Sequence, residues 1–248
     1  MKTTLLIVAL LFASVACGGT RDPSTPDQRH VEYGRQFESV VKVRTRRTAD
    51  DRNQYASGVV VSRRHVVTAA HVVEGTHEWA AAVVGGTEIT ITGVAIHPQY
   101  NPDRFGHNDI AVATLATDAG LRFYPALYSG DSETGRTVSI SGYGMTGTFA
   151  SGITGSDGLR RAGSNIVDRI EGGMLICSVS GGRRTELEFL IAPGDSGGGL
   201  FIGNELAGIN SLVMRDGKGQ IRHGYGEESG HTRISLHRQW IQEQIDCE

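Results

Sequence analysis

The apolar residues of this chain come in short, β-branched runs that glycine repeatedly cuts off. Val40-Val41-Lys42-Val43, Gly58 to Ser62, Val66-Val67-Thr68, Ala81 to Val84, Ile89 to Ile96 and Ile110 to Leu115 read as strands in the first half. Thr137 to Ser141, Met174 to Val179, Glu186 to Ile191, Leu200 to Ile202 and Leu206 to Leu212 continue the series in the second. Short strands with turn signals between them point to an all-β sandwich or barrel. The 34 glycines against six prolines fit that turn-dense chain rather than a helix bundle. At 248 residues there is room for one large unit or two smaller cores, with residues 117–134 as the candidate crossing between halves. No segment repeats at a fixed period, which argues against a solenoid or propeller. Residues 142–158 read as a surface loop rich in Gly, Ser and Thr. Residues 235–245 break the pattern. Leu236, Trp240, Ile241 and Ile245 fall on one side at helical spacing, and Ser235 can cap the start of that helix.

The first residues have another purpose. Lys2, the apolar run from Leu5 to Phe12 and the small residues Ala13, Ser14 and Ala16 form an export signal, too short for a membrane span. Residues 1–17 are therefore expected to be the signal and 18–35 a linker. Ser14-Val15-Ala16-Cys17 resembles a lipobox, with Ser14 where that motif usually has Leu. Ser14 and Ala16 also suit ordinary signal peptidase, so two fates stay open: a soluble secreted or periplasmic protein, or one tethered to a bacterial membrane through lipidated Cys17. Export allows Cys177 and Cys247 to oxidise, so they either pair or stay as thiols.

The formal net charge of -3 and the absence of a long basic run argue against a nucleic-acid partner. The nine histidines show no metal-ligand spacing, and most are read as surface or packing residues. The glycine run 194–199 lacks the lysine of a phosphate loop. No metal or organic cofactor is called for, and a monomer is expected.

Three polar residues sit at the ends of strand-like runs, bracketed by small or apolar neighbours: His71, Asp109 and Ser196. These types together suit amide hydrolysis. A serine hydroxyl becomes a nucleophile when a neutral imidazole can take its proton. A buried carboxylate on the other ring nitrogen sets the tautomer and stabilises the imidazolium. Charge then develops on the substrate oxygen, and two backbone N–H groups must meet it. Glycines around Ser196 permit the close backbone such donors need.

Thr68-Ala69-Ala70-His71, Asp109-Ile110-Ala111 and Gly194-Asp195-Ser196-Gly197-Gly198, in that order, resemble the chymotrypsin/trypsin family of serine peptidases. Ser57-Gly58-Val59-Val60-Val61, Ile96-His97-Pro98-Gln99-Tyr100-Asn101 and Gly208-Ile209-Asn210-Ser211 are similar to the family's flanking stretches, so the resemblance covers roughly residues 37 to 246. It implies two six-stranded antiparallel β-barrels with a C-terminal helix: a peptidase domain over 36–248, with barrels over 36–120 and 130–234 and the helix over 235–246. It implies a serine endopeptidase acting on protein or peptide substrates, with His71, Asp109 and Ser196 catalytic and the N–H groups of Gly194 and Ser196 as the oxyanion hole. Ser211 would present backbone to the bound peptide. Leu190 at the base and Val213 at the wall of the specificity pocket imply a shallow apolar pocket for a small or medium aliphatic residue.

The chain departs from the family at several points. The disulfide across the His loop and the Cys before the Ser segment are missing, which points to a bacterial type. No Ile-Val-Gly-Gly start exists, so Asp195 is expected to find another cation or hydrogen-bond partner, and activation by proteolysis stays open. These departures keep alive a catalytically silent binding module of the same fold. The same machinery would also permit ester hydrolysis.

Overall fold

The computed structural model describes residues 19–48, 52–76, 79–104, 106–215 and 220–247; Cys17 and the export signal lie outside them. The first half runs β1 Thr20–Arg21, α1 Asp27–Gly34, β2 Val40–Arg46, β3 Gln54–Val60, β4 His65–Thr68, α2 Ala70–Val73, β5 Trp79–Val84, β6 Thr87–Ile96 and β7 Ala111–Leu115. The second half runs β8 Thr137–Gly142, β9 Thr146–Thr148, β10 Gly152–Gly155, β11 Arg161–Ile166, β12 Arg169–Glu171, β13 Met174–Val179, β14 Phe189–Leu190, β15 Gly199–Ile202, β16 Glu205–Arg215, β17 Glu227–Arg233 and α3 Ile234–Asp246.

β2, β3, β4, β7, β6 and β5 close into the six-stranded barrel expected of the first half. In β2 the alternation places Val41, Val43 and Thr45 inside and Lys42, Arg44 and Arg46 outward, the period-two pattern of a half-buried strand. The second half curls as a seven-stranded sheet in the order β11-β8-β15-β16-β17-β13-β12, so its hydrogen bonding is that of a half-barrel rather than a closed ring of six. One apolar cluster fills the first barrel and includes Ile234 and Ile241 of α3. A second, with Leu175, Leu190, Leu200 and Val213, fills the other half.

Residues 20–35, expected as part of a linker, are folded. Thr20 pairs with Leu190 and Arg21 with Phe189, placing β1 in a small sheet with β14, β9 and β10. α1 buries His30, Val31 and Gly34. Its anchor is Arg161, which is 1% exposed and meets the carboxylates of Asp27 and Asp157. A buried guanidinium needs such partners, and one of them lies far away in sequence. The loop over 142–158 contains β9 and β10, and the strand expected over Glu186 to Ile191 shrinks to β14.

α3 turns most of the expected face inward: Ile241 is in the first cluster and Trp240 and Ile245 pack against it, and of that face Leu236 alone points away. Ile234, His237 and Ile241 are buried, while Leu236 is 58% exposed. Ser235 caps nothing, and its hydroxyl instead reaches Glu133, which also holds Arg233 through both carboxylate oxygens. Cys177 is buried, Cys247 is exposed, and both are free, so they form no pair.

Candidate active site

Strand pairing brings the first two site residues together. β4 and β7 run antiparallel with Thr68 opposite Ala111, so the residues just past the end of β4 lie beside those just ahead of β7. His71 comes after β4, in the single turn of α2. Asp109 precedes β7 at the centre of a tight turn in which Ile110 N–H donates to Asn108 O at 2.8 Å. Asn108 takes a φ of +49°, a left-handed conformation that Asn tolerates better than most residues.

The contacts between the two are direct. His71 Nδ1 lies 2.7 Å from Asp109 Oδ2, and His71 N–H donates to Asp109 Oδ1 at 2.9 Å. Ser211 Oγ donates to Asp109 Oδ2 at 2.6 Å, and Thr232 Oγ1 holds the Asp109 carbonyl at 3.0 Å. Ser211 reaches inward because the register of β16 on β17 shifts between Asn210 and Leu212, which makes Ser211 the extra residue of a bulge. Burial pushes the Asp109 carboxyl up, but the hydrogen bonds and charge of His71 and the Ser211 hydroxyl outweigh it and hold the group below its ordinary value.

Ser196 lies on a loop whose carbonyls from Pro193 to Ser196 are each held. Pro193 O accepts from Met145 N–H at 2.7 Å, and Gly194 O accepts from Ser57 Oγ at 2.8 Å. Asp195 O accepts from Gly198 N–H at 2.9 Å, and Ser196 O from Ser57 N–H at 2.8 Å. The N–H groups of Asp195, Gly197 and Gly198 are used inside the protein, while among the described residues those of Gly194 and Ser196 donate to nothing. Gly197 has a φ of +82°, and a Cβ there would lie 2.1 Å from Thr68 Oγ1, so only glycine lets the loop sit against the His71 segment. The Ser196 hydroxyl makes no hydrogen bond among the described residues; the link from Ser196 Oγ to His71 is the one contact of the expected relay that is not formed.

Asp195 is fully buried and has found backbone partners. Ala192, Gly144 and Gly19 each donate an N–H to it. Burial outweighs these and pushes its carboxyl up to about 7.

A cleft of about 310 Å³ opens beside this arrangement, lined by His71, Tyr100, Asp109, Ser211 and Leu212 among others. Leu190 is fully buried and Val213 is 8% exposed, and both belong to the apolar cluster of the second half together with Ile191. His71, Asp109 and Ser211 therefore converge, Leu190 and Val213 share one apolar region, and Gly194 and Ser196 lie on the same pinned loop.

A family model for trypsin matches residues 28–241. The chain belongs to the trypsin family. Chymotrypsin of Phaedon cochleariae is 29% identical over 220 residues, covering 79% of this chain and 74% of that protein. Trypsin, alkaline B, of Manduca sexta is 30% identical over 135 residues, half of each chain. Two solved structures share the fold. A mouse neuropsin, a serine protease, gives a TM-score of 0.66 at 21% identity over 85% of this chain and 95% of its own. A structure described as HL collagenase gives 0.67 at 18% identity over 86% and 95%.

Two residues of this trypsin-family site carry contacts that sequence reasoning did not assign. Ser57 ties the site's segments together: its carbonyl accepts from Thr68 Oγ1, its N–H and Oγ hold Ser196 O and Gly194 O, and its Oγ accepts from Tyr143 N–H. Asn210 donates its side-chain amide to Asp195 O and Ser141 O. The signal that could have found them is a polar residue inside a run of strand-forming neighbours, which marks a buried polar group in need of partners.

Proposed function

We propose that this trypsin-family protein is a serine endopeptidase that cleaves peptide bonds through an acyl-enzyme. Ser196 Oγ attacks the substrate carbonyl while its proton passes to His71 Nε2. Asp109 keeps the other His71 nitrogen protonated and stabilises the imidazolium. The N–H groups of Gly194 and Ser196 meet the oxygen as it gains charge. His71 then protonates the leaving amine, the C–N bond breaks, and water attacks the acyl-Ser196 ester by the same route. The observation that carries this reading is the His71–Asp109 pair standing beside a loop with two N–H groups that donate to nothing among the described residues.

Leu190 and Val213 favour a small or medium aliphatic residue before the cleaved bond, with Ser211 offering backbone to the substrate. Residues 1–17 act as an export signal, which makes the protein secreted or periplasmic, with Cys17 as a membrane tether if lipidated. The domain takes in β1 and α1 ahead of residue 36, and the bacterial assignment rests on sequence alone, since the Phaedon and Manduca relatives are both insect proteins.

The missing contact between Ser196 Oγ and His71 favours a second reading, a silent binding module. Hydrolysis of a peptide library separates the two. An enzyme cleaves after aliphatic residues, and Ser196→Ala or His71→Ala each costs roughly 10⁶-fold in kcat, with the double variant little worse than either. A folded wild type that cleaves nothing supports the binding module, and additive losses mean the two groups do not act as a unit. A profile dominated by Lys, Arg or Glu removes the aliphatic assignment.

A further inference from the structure

Behind the nucleophile loop lies a chain of buried polar side chains that the proposed mechanism does not use. Asn210, Ser229 and His231 are all 0% exposed, on the neighbouring strands β16 and β17. Burying three such groups costs free energy unless their donors and acceptors are satisfied. Here they are satisfied in a single direction. Asn210 Nδ2 lies 3.1 Å from Ser141 O and 3.2 Å from Asp195 O. Both are carbonyls and can only accept, so this end of the amide is the NH₂. Asn210 Oδ1 then faces His231 Nδ1 at 2.9 Å, which assigns the ring proton to Nδ1. His231 Nε2 is left as an acceptor, 2.9 Å from Ser229 Oγ, whose single proton has the Cys177 carbonyl at 3.3 Å as its other acceptor. Burial depresses the imidazole to about 3, so the ring stays neutral near neutral pH.

The end point of the chain gives it a purpose. The Asp195 carbonyl belongs to the same planar trans peptide as the Ser196 N–H, and the two point in opposite directions. A group that holds this carbonyl therefore aims that N–H. Gly198 N–H and the Asn210 amide share the task. A Cβ on Gly198 would lie 2.9 Å from Asn210 Nδ2 and 2.3 Å from Ser141 O, so the amide fills the space a side chain would need. The backbone of Asn210 also bonds the loop on both sides, accepting from Gly197 N–H and donating to Gly198 O, each at 2.8 Å. Removing only the side chain leaves those two bonds in place.

We propose that Asn210, its amide fixed by His231 and Ser229, is a positioning residue that aims the Ser196 N–H at the developing oxyanion; this rests on the roles proposed for Ser196 and His71. It touches no substrate, so it acts on kcat and not on KM.

The test begins with phosphonate labelling of the full chain. A folded wild type that takes no label overturns the underlying reading and, with it, the ground for this proposal. Where the wild type labels, Asn210→Leu, similar in size and unable to donate, is expected to lose about 10- to 100-fold in kcat with KM within about twofold. Affinity for a peptidyl boronate falls alongside kcat, while affinity for the product peptide holds. His231→Phe loses about tenfold, and His231→Asn, whose amide nitrogen can stand in for Nδ1, regains most of it. Wild-type kcat in both Asn210→Leu and His231→Phe overturns the proposal, as does a loss confined to KM. Should Asn210→Leu fail to fold by circular dichroism, the His231 pair decides alone, and equal activity of the two variants overturns it.

Discussion

Asp109 and Asp195 are both buried, yet their carboxyl groups are driven in opposite directions. In the first half, Asp109 sits against the His71 ring and the Ser211 hydroxyl and stays below its ordinary value. In the second, Asp195 has three backbone N–H partners and rises to about 7. Burial penalises both charges, so the difference lies in what faces them. The first half of the site is built on a side-chain charge placed at the ends of paired strands. The second is built on directed backbone dipoles, which need no charged side chain but need the carbonyls from Pro193 to Ser196 held. One region supplies charge and the other supplies direction.

The harshest way to break this comparison is Asp109→Asn. The change keeps the shape and removes the charge and the tautomer control, so kcat is expected to fall by ~10⁴-fold while the thermal midpoint moves little. Steady-state kinetics and a melting curve check it, and a loss under about tenfold would remove Asp109 from the site.

Arg161→Met probes the support of the second half. Its guanidinium is buried, but the Asp27 and Asp157 side chains it meets are 35% and 44% exposed, so solvent screens what is lost. The expected cost is about 1–3 kcal/mol in urea unfolding, with kcat of the folded protein unchanged. A fall in kcat larger than about threefold would show that α1 and β11 bear on the loop itself.

The smallest effect sharpens the contrast in pH. Burial holds His30 and His237 at about 4 and His231 at about 3, against an ordinary 6.5. Unfolding lets these three bind protons, so stability is lost as pH falls from 6.5 toward 4. Asp195 acts the other way. It keeps its proton in the folded state up to about 7 and loses it above 3.8 when unfolded, so it removes stability as pH rises between those values. Below pH 6.5 these histidines, joined by His97, which burial also lowers, outweigh Asp195 and Glu188, whose carboxyl burial also raises, and toward pH 7 Asp195 carries the remaining fall. Urea midpoints should climb from pH 4 to 6.5 and then slip slightly, and Asp195→Asn should abolish the slip. A wild type whose stability rises steadily through pH 7 would contradict the account of Asp195.

Much of this was legible in the sequence because the signals were local. The apolar runs around Val41, Val66 and Ile110 are strands in any context that buries one face. His71, Asp109 and Ser196 stand out because the chemistry restricts residue type and the neighbours are small. What was hidden depends on partners distant in the chain. Thr20 and Arg21 are a strand because Leu190 and Phe189 lie on one side of them and Gly147 and Thr148 on the other. α1 is held by Arg161, and the inward reach of Ser211 comes from a bulge that no residue type announces. Ser57 and Asn210 read as ordinary strand residues until the carbonyls they hold are known.

The proposed chemistry makes Ser196 a nucleophile activated by His71. Intact-mass and peptide mapping after exposure to an aliphatic peptidyl phosphonate test it most directly. One adduct per chain is expected, on Ser196, and no adduct in His71→Ala over the same time. An adduct on another residue, or equal labelling with and without the imidazole, would contradict it.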